Sequence, residues 1–386
     1  MMREVRPPET AQDSAKGRDL AQLQIRVDVL ESRHVPLVAA FGERYWTRPR
    51  TESFYRWRYV DAAPFSRSYV AVTDDECFGQ ICSLRKEYLI DGQRVPCYEI
   101  FDWHSLPGFK GSGVGIRVMR ALMREGVRLI GIAGTADVLR ALPAMGWQTF
   151  GELQTFELPL AGDFLTAGLR ERIRFRVPGE QLALKAATAT WFKPRVRRFD
   201  GRAIQVAHLG PEVNSLYEGN TGYDFLQIPD EGLMRWMTAG FAGSGAYRYW
   251  YFTVKDQLRG WAVTRLHEME EGCEASIIEI FAPNPDVALY EWMISELSVR
   301  LAADRPRVIR ARTTCPILAA ALRANRYRSG FPVPVHTWPK LPEASRRLHF
   351  TMNHTDTPFR PYPVPAAATG FLSGAPAASI PEVPVW

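Results

Sequence analysis

The chain has 386 residues, 46% hydrophobic and 23% charged, which suits a soluble globular protein with two ordinary cores and excludes disorder throughout. Its net charge of +6 is spread over 48 basic and 42 acidic residues, too dilute to point to nucleic acid but suited to a polyanionic cofactor. Five cysteines without a paired CxxC unit argue against a disulfide framework and against a zinc site.

Residues 1–20 are polar, Pro-containing and aperiodic, and are expected to be disordered. The start Met1-Met2-Arg3 lacks the apolar core of a signal peptide, and no apolar run nears the roughly 18 residues of a membrane span, so the expected location is cytoplasmic, without a membrane partner. A first unit, residues 21–160, opens with a strand over Gln22–Val29, a helix over His34–Trp46 and a short helix over Glu52–Tyr59. Strands follow at Ser68–Val72, Phe78–Leu89 and Val95–His104, with Asp91-Gly92 as the hairpin turn between the last two. The last of these strands ends just before Phe109-Lys110-Gly111-Ser112-Gly113-Val114-Gly115-Ile116. Ile116, Val118, Met119, Leu122 and Met123 then recur at helical spacing. Glycines between a strand and a helix leave amide N–H groups uncovered at the positive end of the helix dipole, an arrangement suited to phosphate. A strand over Arg128–Ala133, a helix over Ala136–Met145 and strands near Trp147–Phe150 and Leu153–Leu158 close the unit.

Residues 161–200 read as a linker ending in the basic run Lys193, Arg195, Arg197 and Arg198, whose plain reading is a solvated face. A second unit, 201–357, then repeats the first. Trp57 matches Trp236, Gly79 matches Gly260, Glu99-Ile100-Phe101 matches Glu279-Ile280-Phe281, Leu142 matches Leu322 and Trp147 matches Tyr327, all about 180 residues apart. At the place of the glycine loop the second unit has Phe281-Ala282-Pro283-Asn284-Pro285-Asp286, with no glycine and two prolines that lack N–H donors. It is expected to keep the fold and not the cofactor. Residues 358–386 are rich in Pro and Ala and are expected to be disordered.

Strand, glycine loop and helix in this order resemble the GNAT (GCN5-related N-acetyltransferase) superfamily of acyl-CoA-dependent N-acyltransferases. The family signature, Arg or Gln, two residues, Gly, one residue, Gly or Ala, is met by Lys110, Gly113 and Gly115, with Lys in place of Arg. The resemblance implies an α/β (α+β) protein of two tandem GNAT-like folds, each a mixed, mostly antiparallel sheet flanked by helices, the second degenerate. It implies acetyl-CoA or another acyl-CoA as co-substrate and a small-molecule amine as acceptor. Trp103, Ser105, Lys110, Gly111, Ser112, Gly113, Val114 and Gly115 then form the cofactor set. Thr135, Val138 and Leu142 stand where many members carry Asn, Ala and a Tyr that protonates the leaving thiolate, and Leu142 cannot do so. A dinucleotide site is disfavoured because antiparallel hairpin strands precede the loop and the third glycine of that fingerprint would fall at Ile116.

Amide formation needs a base for the acceptor ammonium. Glu99 lies where histone-acetylating members place a catalytic glutamate, although its repeat partner Glu279 speaks for a role in the fold. Asp102 and His104 are expected on the strand face opposite Glu99; their repeat partners are Ala282 and Asn284, so these polar groups belong to the unit with the loop. Phe101, Trp57 and Tyr59 fit a core at least as well as an acceptor pocket. No Ser-His-Asp order, Walker loop or His-Glu-x-x-His helix appears. The leading reading is an acyltransferase that acetylates a small amine, and the other is a non-catalytic acyl-CoA-binding or interaction protein.

Overall fold

The computed structural model describes residues 23–45, 50–109, 111–160, 194, 197–218, 220, 222–239, 247–269, 272–284, 286–341 and 347–354. The expectations for residues 1–20, nearly all of 161–200 and 358–386, and the side chain of Lys110, lie outside them.

Elements follow the order expected from periodicity. In the first half these are β1 (Arg26–Val29), α1 (Val35–Tyr45), α2 (Glu52–Tyr55) running into a π-helical turn over Arg56–Val60, β2 (Tyr69–Val72), β3 (Cys77–Ile90), β4 (Gln93–Ser105), α3 (Val114–Met123), β5 (Arg128–Ile132), α4 (Ala136–Ala144) and β6 (Gln148–Pro159). Asp91 and Gly92, at φ of 50° and 80°, make the β3–β4 hairpin turn that their identities demand. The two short strands expected near Trp147–Phe150 and Leu153–Leu158 are one strand, β6. Gly151 between them does not turn the chain; a Cβ there would lie 2.5 Å from Leu348 Cδ1, so the glycine admits a close neighbour.

The second half holds β7 (Arg202–Val206), α5 (Ser215–Glu218), β8 (Phe225–Ile228), α6 (Glu231–Ala239), β9 (Tyr247–Val254), β10 (Gln257–Met269), β11 (Gly272–Phe281), α7 (Val287–Ala302), β12 (Val308–Thr313), α8 (Pro316–Ala324), β13 (Arg328–Ser329), β14 (Val333–Trp338) and β15 (Leu348–His349). All strands join one mixed sheet, in the order β1-β2-β3-β4-β5-β14-β6-β12-β11-β10-β9-β7, with β8 on the far part of β3 and β15 on β8.

That order contains a reciprocal exchange. β14 of the second half lies between β5 and β6 of the first, while β6 runs on to pair with β12 of the second. Leu129 stands opposite Trp338, and their repeat counterparts Ile309 and Leu158 stand opposite each other in turn. Leu153 faces Val333, its own counterpart, so the pseudo-twofold axis passes through this pair. Trp57 stacks on its counterpart Trp236 with ring centroids 5.0 Å apart, a second contact of the axis with itself. Burial follows: Leu153, Phe156 and Leu158 of β6 have no exposed surface, and neither does Val335 of β14.

Because each half's sheet lacks a strand without the other, the halves should unfold together. Urea denaturation followed by tryptophan fluorescence should show one transition, and Leu153→Ala should lower its midpoint at a cost of about 2–5 kcal/mol. A plateau between two transitions would contradict the exchange.

Candidate active site

Antiparallel β3 and parallel β5 flank β4, but the β4–β5 pairing ends at Ile100 opposite Gly131 while β4 runs on to Ser105. From Phe101 onward β4 has an edge that β5 does not use. The chain then turns through the glycine loop into α3. Gly111 and Gly113 have φ of +82° and +81°, which glycine adopts without strain, and a Cβ at either would meet nothing within 4 Å. Ser112 Oγ donates to the Phe109 carbonyl at 2.6 Å and accepts from the Val114 amide at 3.4 Å. The ladder of α3 starts with Arg117 N–H to Gly113 O at 2.9 Å, so the amides of Gly115 and Ile116 precede it at the helix mouth.

Several residues expected to hold cofactor also build this loop. Val114 is buried in the core below it. Trp103 Nε1 donates to the Gly115 carbonyl at 2.8 Å, fixing α3 to the end of β4, and Ser105 Oγ lies beside the same glycine. Gly111, Ser112, Gly113 and Gly115 supply the open backbone. Leu142 is buried, so its place holds no general acid.

The equivalent helix start in the second half is closed. Asp286 Oδ1 accepts from the amides of Ala288 at 2.8 Å and Leu289 at 3.4 Å. A carboxylate of the chain itself thus takes the place that a phosphate would need.

Asp102 and His104 sit at a bulge in β4. Gln80 stands opposite His104 and Cys82 opposite Phe101, so Asp102 and Trp103 together face Ile81, and Asp102 has φ +47°. Strict alternation put Asp102 on the face away from Glu99 and Phe101. The bulge breaks that alternation: Arg58 lies over the Phe101 ring at 4.4 Å and also reaches Asp102 Oδ2 at 3.4 Å. Tyr59 donates to the same oxygen at 2.6 Å, and His104 Nε2 is 3.9 Å from Asp102 Oδ1 with Tyr45 against its ring. Burial pushes the Asp102 carboxyl up, but Arg58 first, then Arg50 and His104, hold it below the usual range. Gln80, missed in the sequence, is fully buried beside this bulge with neither side-chain amide atom hydrogen-bonded among the described residues.

Glu99 belongs to a separate group. It accepts from Tyr88 Oη, pairs with Lys86 Nζ at 2.6 Å and lies 3.8 Å from His354 Nε2. Its repeat partner Glu279 accepts from Thr351 Oγ1 at 2.7 Å, with His349 Nε2 at 3.9 Å. Burial holds the Glu279 carboxyl up at about 7 against the opposing Thr351 bond. Lys86, His349 and His354 were missed. Lys86 had a signal, a charge between Leu84 and Tyr88 on the inward face of β3; the histidines lie in a short segment without periodicity.

No family model matches this sequence, and no curated protein matches it. Among solved structures, a probable N-acyltransferase of Enterococcus faecalis V583 superposes with a TM-score of 0.53 at 12% identity, over 82% of this chain and 72% of that one. Saccharomyces cerevisiae N-myristoyltransferase with bound myristoyl-CoA gives 0.56 at 11% identity, over 84% and 80%. A second myristoyl-CoA complex of that enzyme gives 0.54 at 12% identity, over 87% of each chain. The chain shares the mixed, mostly antiparallel α/β fold of these acyltransferase structures.

Two stability outcomes follow from the buried carboxyls. Asp102→Asn leaves the fully buried Arg58 without its carboxylate partner and should cost about 3–5 kcal/mol in urea denaturation. Glu279 has a folded value of about 7 above its ordinary 4.5, so its contribution is intact below about 4.5 and is lost as pH rises through 7. Glu279→Gln should therefore gain stability relative to wild type between pH 5 and pH 8; equal midpoint shifts at the two pH values would exclude a raised carboxyl.

Proposed function

We propose that this protein is an acyl-CoA-dependent N-acyltransferase that moves an acyl group, acetyl in the first instance, to the primary amine of a small molecule. The observation that carries the reading is the contrast between two repeat-related helix starts. One opens on Gly111 and Gly113, at positive φ with open space beside them; the other is closed by Asp286.

On this reading the amides of Gly111, Gly113, Gly115 and Ile116 hold the pyrophosphate, and the edge of β4 that β5 leaves from Phe101 to Ser105 receives the pantetheine as an added strand. The thioester then lies near the apex of the splay, between Glu99 and the Asp102 bulge. Glu99 or His104 takes one proton from the acceptor ammonium. The freed nitrogen attacks the thioester carbon, the N–C bond forms as the C–S bond breaks, and the leaving thiolate takes the second nitrogen proton. No side chain at position 142 assists that last step. Asp102 sets the orientation of His104, since its own oxygens are engaged by Tyr59 and Arg58. No helix among the described residues is long and apolar enough to cross a membrane.

The buried Leu142 favours a second reading, an acyl-CoA-binding protein without turnover. Thermal shift with acetyl-CoA, CoA and longer acyl-CoA esters, together with thiol release across a panel of primary amines, separates the two. Wild type should be stabilised by about 2.7 kcal/mol at a hundredfold excess over Kd, and Gly113→Glu, which sets a carboxylate at the loop, should lose at least tenfold in affinity. Stabilisation without thiol release from any amine would leave the binding reading; no stabilisation by any ester would remove both.

A further inference from the structure

Beside the β4 bulge, Gln80 has no exposed surface, and neither its Oε1 nor its Nε2 has a hydrogen-bond partner among the described residues. A primary amide can donate two hydrogen bonds and accept two, and leaving these unmade away from water destabilises a fold. An apolar side chain of the same length would serve the unliganded core better. Lys86, also buried on β3, shows the usual outcome: it pairs with Glu99 Oε2 at 2.6 Å and donates to the Asn353 carbonyl at 3.1 Å.

The register fixes where the amide points. On the β2 side Gly79, Gln80 and Ile81 stand opposite Ala71, Val70 and Tyr69 without a bulge. A Cβ on Gly79 would lie 2.9 Å from Val114 Cγ1 of α3, so Gly79 faces that helix and Gln80 faces away from it. On the β4 side Gln80 stands opposite His104, and such a pair puts both side chains on one face with Cβ atoms about 5 Å apart. Cys82, next along that face, stands opposite Phe101, whose ring carries Arg58 at 4.4 Å. Gln80 therefore shares the face of Asp102 and His104, at the strand end that leads to the glycine loop. His104 is partly exposed, with Nε2 3.9 Å from Asp102 Oδ1 and its ring 4.4 Å from that of Tyr45, so the group reaches solvent at the imidazole.

We propose that Gln80 is a substrate-binding residue that selects the acceptor, its amide taking a primary amine with an oxygen on the adjacent carbon, as in an amino alcohol, an amino sugar or an α-amino acid. The choice of an amine rests on the acyltransferase reading; the holding of the amide for a ligand does not. Oε1 and Nε2 sit on one carbon, so an N–H and a neighbouring oxygen on the acceptor match them together. Of the two candidate bases, His104 is the one opposite Gln80, whereas the oxygens of Glu99 are engaged by Tyr88 and Lys86. The acceptor ammonium has three hydrogens. One passes as a proton to the His104 ring, freeing the lone pair that attacks the thioester carbon. A second goes to the departing thiolate as the N–C bond forms and the C–S bond breaks. The third stays in the amide product, and Gln80 Oε1 accepts it throughout while Nε2 donates to the adjacent oxygen, holding the nitrogen beside His104. His104 returns its proton to solvent after product leaves.

The test compares the whole protein as wild type, Gln80→Met and Gln80→Leu. In urea denaturation without ligand, at least one variant should have a higher midpoint than wild type, because an amide without partners gives way to an apolar group of similar size. A midpoint that neither variant raises means that the amide serves the fold, directly or through bound water, and overturns the proposal. Thiol release from acetyl-CoA is then measured with ethanolamine, glucosamine and glycine, and with propylamine, which has a methyl group where ethanolamine has its hydroxyl. In wild type kcat/KM should be at least about tenfold higher for one of the first three than for propylamine, and the variants should lose that preference while keeping their rate with propylamine. Which of the three is preferred identifies the source of the oxygen. Equal use of all four amines by wild type, or a preference that both variants keep, overturns the selection. Thiol release with no primary amine removes the acyltransferase reading and the choice of an amine with it, while a raised midpoint would still show an amide held for a ligand.

Discussion

The pair Leu153–Val333 is where the two halves of this chain become one structure. Each residue is the repeat counterpart of the other, and from this point β6 and β14 run antiparallel, each completing the sheet to which the other half gave rise. A strand in the interior of a sheet needs partners on both edges, because buried N–H and C=O groups left unpaired are costly. The exchange meets that need for both halves at once, and it brings β4 and β11, the strands that carry Glu99 and Glu279, to face a shared interior.

Symmetry also defines where the site departs from it. Two helices begin at equivalent places, α3 on Gly113 and α7 on Asp286, and the single carboxylate of Asp286 turns a potential anion site into a self-capped helix. The repeat-related strands β4 and β11 carry bulges at non-equivalent places. In β4 the extra residue brings Asp102 and His104 together beside the splay, whereas in β11 it falls at Ile278, between Glu279 opposite Val263 and Ile277 opposite Thr264. The glutamates, by contrast, are kept in both halves, and one segment brings an imidazole to each, His354 to Glu99 and His349 to Glu279. Where the repeat has diverged, one half has an open loop; where it has not, the two halves make a joint cluster.

The sequence carried the loop, the repeat and nearly every element, because periodicity, turn residues and glycine placement are local properties. It divided β6 into two strands on either side of Gly151, where glycine answers to the neighbouring Leu348 and the strand runs on. It misjudged the face of Asp102 because alternation assumes an unbulged strand, and a bulge is set by how β3 and β4 match in length across the hairpin. Trp103 and Val114 were assigned to the cofactor by position in the motif; what the sequence did not show is that their side chains anchor and underlie the loop.

The amino-acid sequence by itself determined the order of elements, the doubled unit and the half that carries the glycine loop, since each depends on residues close together in the chain. Only the tertiary structure decided that β6 and β14 trade places, that Lys86 pairs with Glu99 in the interior, and that His349 and His354 come from one distant segment to stand beside the two repeat-related carboxyls. Those arrangements join residues up to hundreds of positions apart through burial and charge. No local pattern encodes them, because a buried charge is tolerated only where the whole fold supplies its partners.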